Sequence, residues 1–162
     1  MMNNLVTIEE LTEIVNQARR EGKRIAWTNG CFDIIHAGHV DYLEKSKSYG
    51  DLLIVGMNSD ESVKRLKGEL RPIFSEMNRA KVLCSIVYVD YVVIFTEPSP
   101  INMIELLKPD YFIKGGDYTV DTIDQDERKV VESYGGEIVL LPMVEGVSSS
   151  IIVEKIKKLS DI

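Results

Sequence analysis

The sequence predicts an α/β protein: a doubly wound sheet of about five parallel strands with helices on both faces. Two observations predict it. Strand-like and helix-like segments alternate along the whole chain. Two of the strand-like segments, DLLIVGMN (51–58) and VDYVVIF (89–95), are near-continuous apolar runs, the mark of strands covered on both faces. At 162 residues the chain is one ordinary domain, 1–162, large enough for a real core.

The elements follow in order. Residues 7–22 read as a helix, with Leu11, Ile14, Val15 and Ala18 on one stripe. Thr7 suits its N-cap, with Glu10 three residues on, and Gly22 stops it. RIAWTN (24–29) is a short strand. The next helix begins near His36–His39, carries Val40, Leu43 and Lys47, and ends by Gly50. After DLLIVGMN, the stretch NSDESVKRLKGELRP (58–72) reads as a charged loop. SEMNRAKVLCSI (75–86) holds a helix, and VDYVVIF a strand. SPINMIELLK is a short helix with Pro100 near its first turn. DYFIKGG (110–116) is a strand ending in glycines. DQDERKVVESYGG is a helix with a glycine stop, EIVLLP a strand, and SSSIIVEKIKKL the last helix.

Composition narrows the function. Hydrophobic residues at 44% and charged residues at 28% give the balance of a soluble globular protein. A net charge of -7 argues against nucleic acid as a partner, yet leaves room for a small anion held by a local cationic cluster. No apolar run approaches a membrane span, and MMNNLVTIEE does not read as a secretory signal. Cys31 and Cys84 suit a reduced, cytoplasmic setting.

In a doubly wound sheet, ligands bind beyond the carboxyl ends of the strands. After the first strand comes TNGCFDIIHAGH, Thr28 to His39. It holds both of the chain's histidines, His36 and His39, at i and i+3 on a helix start. Gly30 permits a close backbone approach in the turn Asn29-Gly30-Cys31-Phe32, and Gly38 leaves room beside the imidazoles. Free N–H groups at the helix start complete a phosphate cradle. A zinc site is the rival reading, weakened by the lack of a third histidine. Two unrelated cap histidines are the bland one.

Other strand ends add candidates. Lys64, Arg65, Lys67 and Arg71 cluster in an otherwise acidic chain and suit substrate phosphates, or simply a solvated loop. Arg79 is either a further phosphate ligand or a surface residue. Lys114, Gly115 and Asp117, in IKGGDY, suit a flat base or ribose, or a tight turn. Ser148, Ser149 and Ser150 open the last helix, as a second phosphate contact or as a cap alone.

These residues carry a resemblance. TNGCFDIIHAGH resembles the HxGH signature of the nucleotidyltransferase superfamily, and the Ser148–Ser150 helix start resembles its second, Ser/Thr-rich signature. The similarity covers residues 23–159, with the helix of 7–22 preceding that catalytic core. TNGCFD, HAGHVDYLEKSKSYGD, VGMNSDESVKRLKG, RP, VDYVV and KPDYFIKGGDY together look most like the adenylyltransferase domain of bifunctional ADP-heptose synthases. Two departures are visible. Glycerol-3-phosphate cytidylyltransferases carry an arginine shortly before the final signature, where this chain has Met143 nearby and no arginine. The signature here is serine at all three positions, where heptose enzymes usually have threonine at the later two.

The resemblance implies a Rossmann-like fold and transfer of AMP from ATP to D-glycero-D-manno-heptose 1-phosphate, with magnesium brought by the triphosphate. It implies catalytic roles for His36, His39 and Lys67. It implies nucleotide contacts from Thr28, Asn29, Gly30, Cys31, Phe32, Gly38, Lys114, Gly115, Asp117, Ser148, Ser149 and Ser150. Lys64, Arg71 and Arg79 would hold the acceptor phosphate. No protein metal ligand is implied; Asp33 is the nearest plausible carboxylate, or a brace of the turn alone. The expected partners are the two small-molecule substrates and a second copy in a homodimer, with neither nucleic acid nor membrane. The alternatives are a cytidylyltransferase using CTP and a glycerol 3-phosphate-like acceptor, and a non-catalytic nucleotide-binding module.

Overall fold

A computed structural model describes residues 2–142, 144, 146 and 148–160. Five strands, β1 (Ile25–Gly30), β2 (Leu52–Asn58), β3 (Tyr91–Phe95), β4 (Tyr111–Gly115) and β5 (Glu137–Leu141), form one parallel sheet in the order β3-β2-β1-β4-β5. The helices are α1 (Ile8–Arg20), α2 (Ala37–Lys47), α3 (Asp60–Lys67), α4 (Glu76–Cys84), α5 (Ile101–Leu107), α6 (Gln125–Ser133) and α7 (Ser149–Ser160).

Side-chain alternation along the strands builds two cores. On one face Ile25, Trp27, Ile54, Val93 and Phe112 meet Leu11, Val15 and Ala18 of α1, Ile104 and Leu107 of α5, and Val131 of α6. On the other, Ala26, Leu53, Val55, Met57, Val92 and Ile113 meet Leu43 of α2 and Ala80 and Leu83 of α4. Trp27 is fully buried, and its width dictates the neighbouring residue. A Cβ on Gly56 of β2 would come 2.4 Å from the indole.

The expected caps hold. Thr7 and Glu10 form a capping box on α1, each side chain accepting from the other residue's main-chain N–H (3.2 and 2.8 Å).

One expectation fails. Residues 60–67, read as charged loop, are helix α3. Ser59 Oγ accepts from the N–H of Ser62 at 3.2 Å, and Gly68, at φ 98°, ends the helix. Its charges follow the helix dipole: Asp60 and Glu61 lie in the first turn, Lys64, Arg65 and Lys67 in the last. The charged run is thus an ordered helix, anchored by buried Val63.

The strand order reverses between β1 and β4, and the ladder shows where the sheet opens. Pairing of β1 with β4 ends at Thr28↔Ile113. Pairing of β1 with β2 runs on to Gly30↔Met57, and of β4 with β5 to Gly115↔Leu141. Past Thr28 and Ile113 the two central strands part, and the crevice between them is the binding position of such sheets.

Candidate active site

A cavity of about 180 Å³ opens at this fork. Its floor is the turn leaving β1. Phe32 there has φ 46°, a left-handed backbone that a bulky residue rarely adopts and that costs ~1–3 kcal/mol. Surrounding contacts hold it. Asp33, nearly buried, accepts through Oδ1 from the N–H groups of Ile73 (2.7 Å) and Phe74 (3.1 Å). Its Oδ2 meets Arg71 Nε at 2.6 Å. Arg79, 1% exposed, donates to the carbonyls of Cys31 (2.6 Å), Asn58 (2.8 Å) and Phe74 (3.0 Å) and pairs with Asp60 at 2.7 Å. One guanidinium thereby joins the β1 turn, the end of β2, the start of α3 and the loop before α4.

His36 is the N-cap of α2, and His39 sits one turn in. The main-chain N–H of His36 donates to His39 Nδ1 at 3.3 Å, and the two rings lie 4.0 Å apart, tilted by 35°. The Phe32 ring closes one side of His39, with 5.6 Å between centroids. Burial, aided by His36 and the Lys67 ammonium, pulls the His39 pKa down to about 4. Burial also lowers that of His36. Both imidazoles are therefore neutral at pH 7, and His39 keeps its proton on Nε2. A Cβ on Gly38 would lie 3.0 Å from the His36 ring. The space that Gly38 leaves is filled by His36 itself, not held open for an incoming group.

Lys67, at the end of α3, reaches the cavity and is the only Lys or Arg among the described residues of its lining. Cys31 lines it too. Burial pushes its thiol pKa up, so it is a neutral thiol rather than a nucleophile.

Asn29, Gly30, Cys31, Phe32, His36, Gly38, His39, Lys67, Gly115 and Ser149 meet at this one cavity. The other expected residues lie elsewhere. Thr28 is fully buried beneath it. Lys64 stands exposed on α3, outside the lining. Arg71 is spent on Asp33. Arg79, expected on the acceptor phosphate or at the surface, is a buried brace whose donors go to protein oxygens. Lys114 pairs with nearly buried Glu127 of α6 at 2.7 Å and does not line the cavity; Glu127 also accepts from Ser99 Oγ at 2.9 Å. Asp117 is exposed beyond β4. Ser148 Oγ accepts from the N–H of Ile151 at 3.2 Å as a cap, and Ser150 is exposed. Ser149 Oγ donates to the carbonyl of Ile34 at 3.3 Å, tying α7 to the histidine loop. Met143 lies outside the described residues.

Sequence reasoning missed Tyr42, which lines the cavity from α2. Its signal was the i+3 step from His39, which carries a hydroxyl-bearing aromatic to the same helix face.

A family model described as cytidylyltransferase-like matches residues 27–155. The chain belongs to the cytidylyltransferase-like family. By family, then, it is a nucleotidyltransferase, and the histidine turn, α3 and the start of α7 all lie within the matched span. Among curated relatives of this family member, "Bifunctional protein HldE" of Geobacter sulfurreducens is 49% identical over 151 residues, 93% of this chain and 30% of the relative. The protein of the same name from Geobacter metallireducens is 50% identical over 149 residues, 92% of this chain and 30% of the relative. The chain thus spans under a third of the length of these relatives. A crystal structure of a lipopolysaccharide core biosynthesis protein from Thermoplasma volcanium superposes with TM-score 0.61 at 29% identity, covering 76% of this chain and 98% of that one. Pantoate-beta-alanine ligase from Francisella tularensis, complexed with beta-gamma ATP and beta-alanine, gives TM-score 0.61 at 14% identity over 98% of this chain and 78% of that one, a likeness of fold alone. No described helix is long and apolar enough to cross a membrane.

Proposed function

We propose that this domain transfers AMP from ATP to D-glycero-D-manno-heptose 1-phosphate, giving ADP-heptose and pyrophosphate. The observation that carries the reading is the pair of imidazoles, His36 and His39, set at a helix start beside the β1–β4 fork in one cavity with Lys67. The extended match to bifunctional HldE proteins and the ordered motifs of the sequence support the acceptor.

A phosphate oxygen of the acceptor attacks the α-phosphorus in line, and pyrophosphate leaves. No enzyme nucleophile is needed; positioning and charge stabilisation carry the catalysis. His39 Nε2–H donates to a phosphate oxygen as charge builds, and His36 does so beside it. The main chain of Asn29–Phe32 sits against the α-phosphate, and Gly115 lines the nucleoside side of the cavity. Ser149 lies toward the β/γ end. Lys67 offsets the charge of the leaving pyrophosphate or of the acceptor.

The described residues contain no group of three His, Cys, Asp or Glu that could cage a metal, and both Asp33 oxygens are engaged within the protein. In this proposal magnesium enters with the triphosphate, held by its oxygens and by water. The proposal includes a cytoplasmic homodimer, by family resemblance, which sedimentation velocity tests.

The deciding assay is magnesium-dependent pyrophosphate release with ATP or CTP against heptose 1-phosphate or glycerol 3-phosphate. Turnover with ATP and the heptose phosphate alone is expected. Turnover with CTP or with glycerol 3-phosphate refutes the substrate assignment, and absence of turnover with both acceptors refutes the proposal.

A further inference from the structure

The last rung between β1 and β4 is Thr28↔Ile113. Tyr42, rising from α2, bonds both residues of that rung. Its hydroxyl lies 2.6 Å from Thr28 Oγ1 and donates to the Ile113 carbonyl at 3.2 Å. A phenol has one proton to give, so Thr28 donates to Tyr42 and Tyr42 to Ile113. A buried relay of two hydroxyls therefore closes the sheet at the point where the crevice begins. The same ring fixes the crevice wall. A Cβ on Gly115 would come 2.6 Å from Tyr42 Cε2, so ring and glycine fit only each other. Burial pushes the Tyr42 pKa up to about 12, and the phenol keeps its proton throughout the working range.

We propose that Tyr42 is a positioning residue for the nucleotide: it locks the spacing between the Asn29–Gly30 side of the fork and the Gly115 side. This rests on the nucleotidyl-transfer reading above. The two lips belong to different strands with no ladder bond beyond Thr28 and Ile113. Without the relay they drift apart, and a ligand that must touch both loses one of them. In this proposal the acceptor binds on the Lys67 side of the cavity, away from that rung, and does not depend on its spacing. The signature is therefore selective: nucleotide affinity falls, acceptor KM does not.

The test uses the whole chain in three variants, Tyr42→Phe, Thr28→Val and the double. Phenylalanine keeps the ring and removes the relay from one end; valine keeps the shape and removes it from the other. Calorimetric titration with magnesium ATP, without acceptor, should show each single variant binding about 5- to 10-fold more weakly, the scale of one lost buried hydrogen bond. The double should be no weaker than the singles, because all three remove one device. Acceptor KM should stay within about twofold of the wild type. Wild-type ATP affinity in both single variants, additive losses in the double, or an equal rise in acceptor KM would overturn the proposal. If either single variant fails to fold, the other alone decides by the same two readouts. A wild-type protein that binds no nucleoside triphosphate sinks the underlying reading as well, which separates that failure from this one.

Discussion

The main-chain N–H of His36 is bonded to Nδ1 of His39, so the His39 side chain presents Nε2–H, and only that, to the cavity. Replacing His39 by alanine removes a preorganised donor from the reacting phosphate. Turnover should fall by about 10²- to 10³-fold, the usual cost of losing one such donor. The melting temperature should change by only a few degrees. His39→Gln, which retains an N–H at a similar reach, should recover part of the loss. Near wild-type turnover in His39→Ala would remove His39 from the mechanism.

The burial of His39 has a pH consequence. His39 titrates near 4 when folded and near 6.5 when unfolded, so between those values the unfolded chain binds more protons. Stability should therefore rise with pH across that window and be lost as pH falls from 6.5 toward 4. Urea denaturation at several pH values checks this, with His39→Gln flattening the slope. In the wild type, kcat should show no inflection near pH 6.5 that this variant abolishes.

Gly38 is needed by His36 rather than by the ligand. Gly38→Ala should lower kcat about tenfold by displacing the ring, while helix propensity adds up to ~1 kcal/mol of stability. In a His36→Ala background the same change should cost nothing further. A further loss of kcat in the double variant would show that the ligand uses that space.

Arg79→Ala leaves three carbonyls and the partly exposed Asp60 without their donor, around a hole where the guanidinium was buried. The cost should be ~3–5 kcal/mol of stability by chemical denaturation. Arg79→Lys should not rescue it, because one ammonium cannot span that fork. A stable variant with raised acceptor KM would restore Arg79 as a phosphate ligand.

Lys67→Ala should do the reverse, weakening acceptor or pyrophosphate kinetics by roughly tenfold while the melting temperature holds. A drop in stability with unchanged kinetics would make Lys67 a structural residue of α3.

Much of this was legible in the sequence because it is local. Thr7 with Glu10, the apolar runs, and the glycines after helices act over a few residues, so spacing alone reveals them. The histidine pair was legible for the same reason. What could not be read was long-range. The partners of Arg79 come from residues 31 to 74, and Lys114 finds Glu127 across an intervening turn. Charge type suggests a phosphate ligand in each case; only tertiary placement reveals that the charge is spent inside the protein. Helix α3 was hidden because its dipole-ordered charges look like those of an exposed loop.

With Arg71 paired to Asp33, Arg79 to Asp60 and Lys114 to Glu127, the described residues of the cavity face a polyanion with a single ammonium, Lys67, on a chain of net charge -7. Such a site does not capture its nucleotide by long-range attraction. Encounter rates should therefore vary little with ionic strength, where a strongly cationic pocket would slow steeply as salt rises. Selectivity among phosphorylated metabolites then has to come at close range, from donors that reward shape and punish a misplaced oxygen, rather than from charge that welcomes any anion.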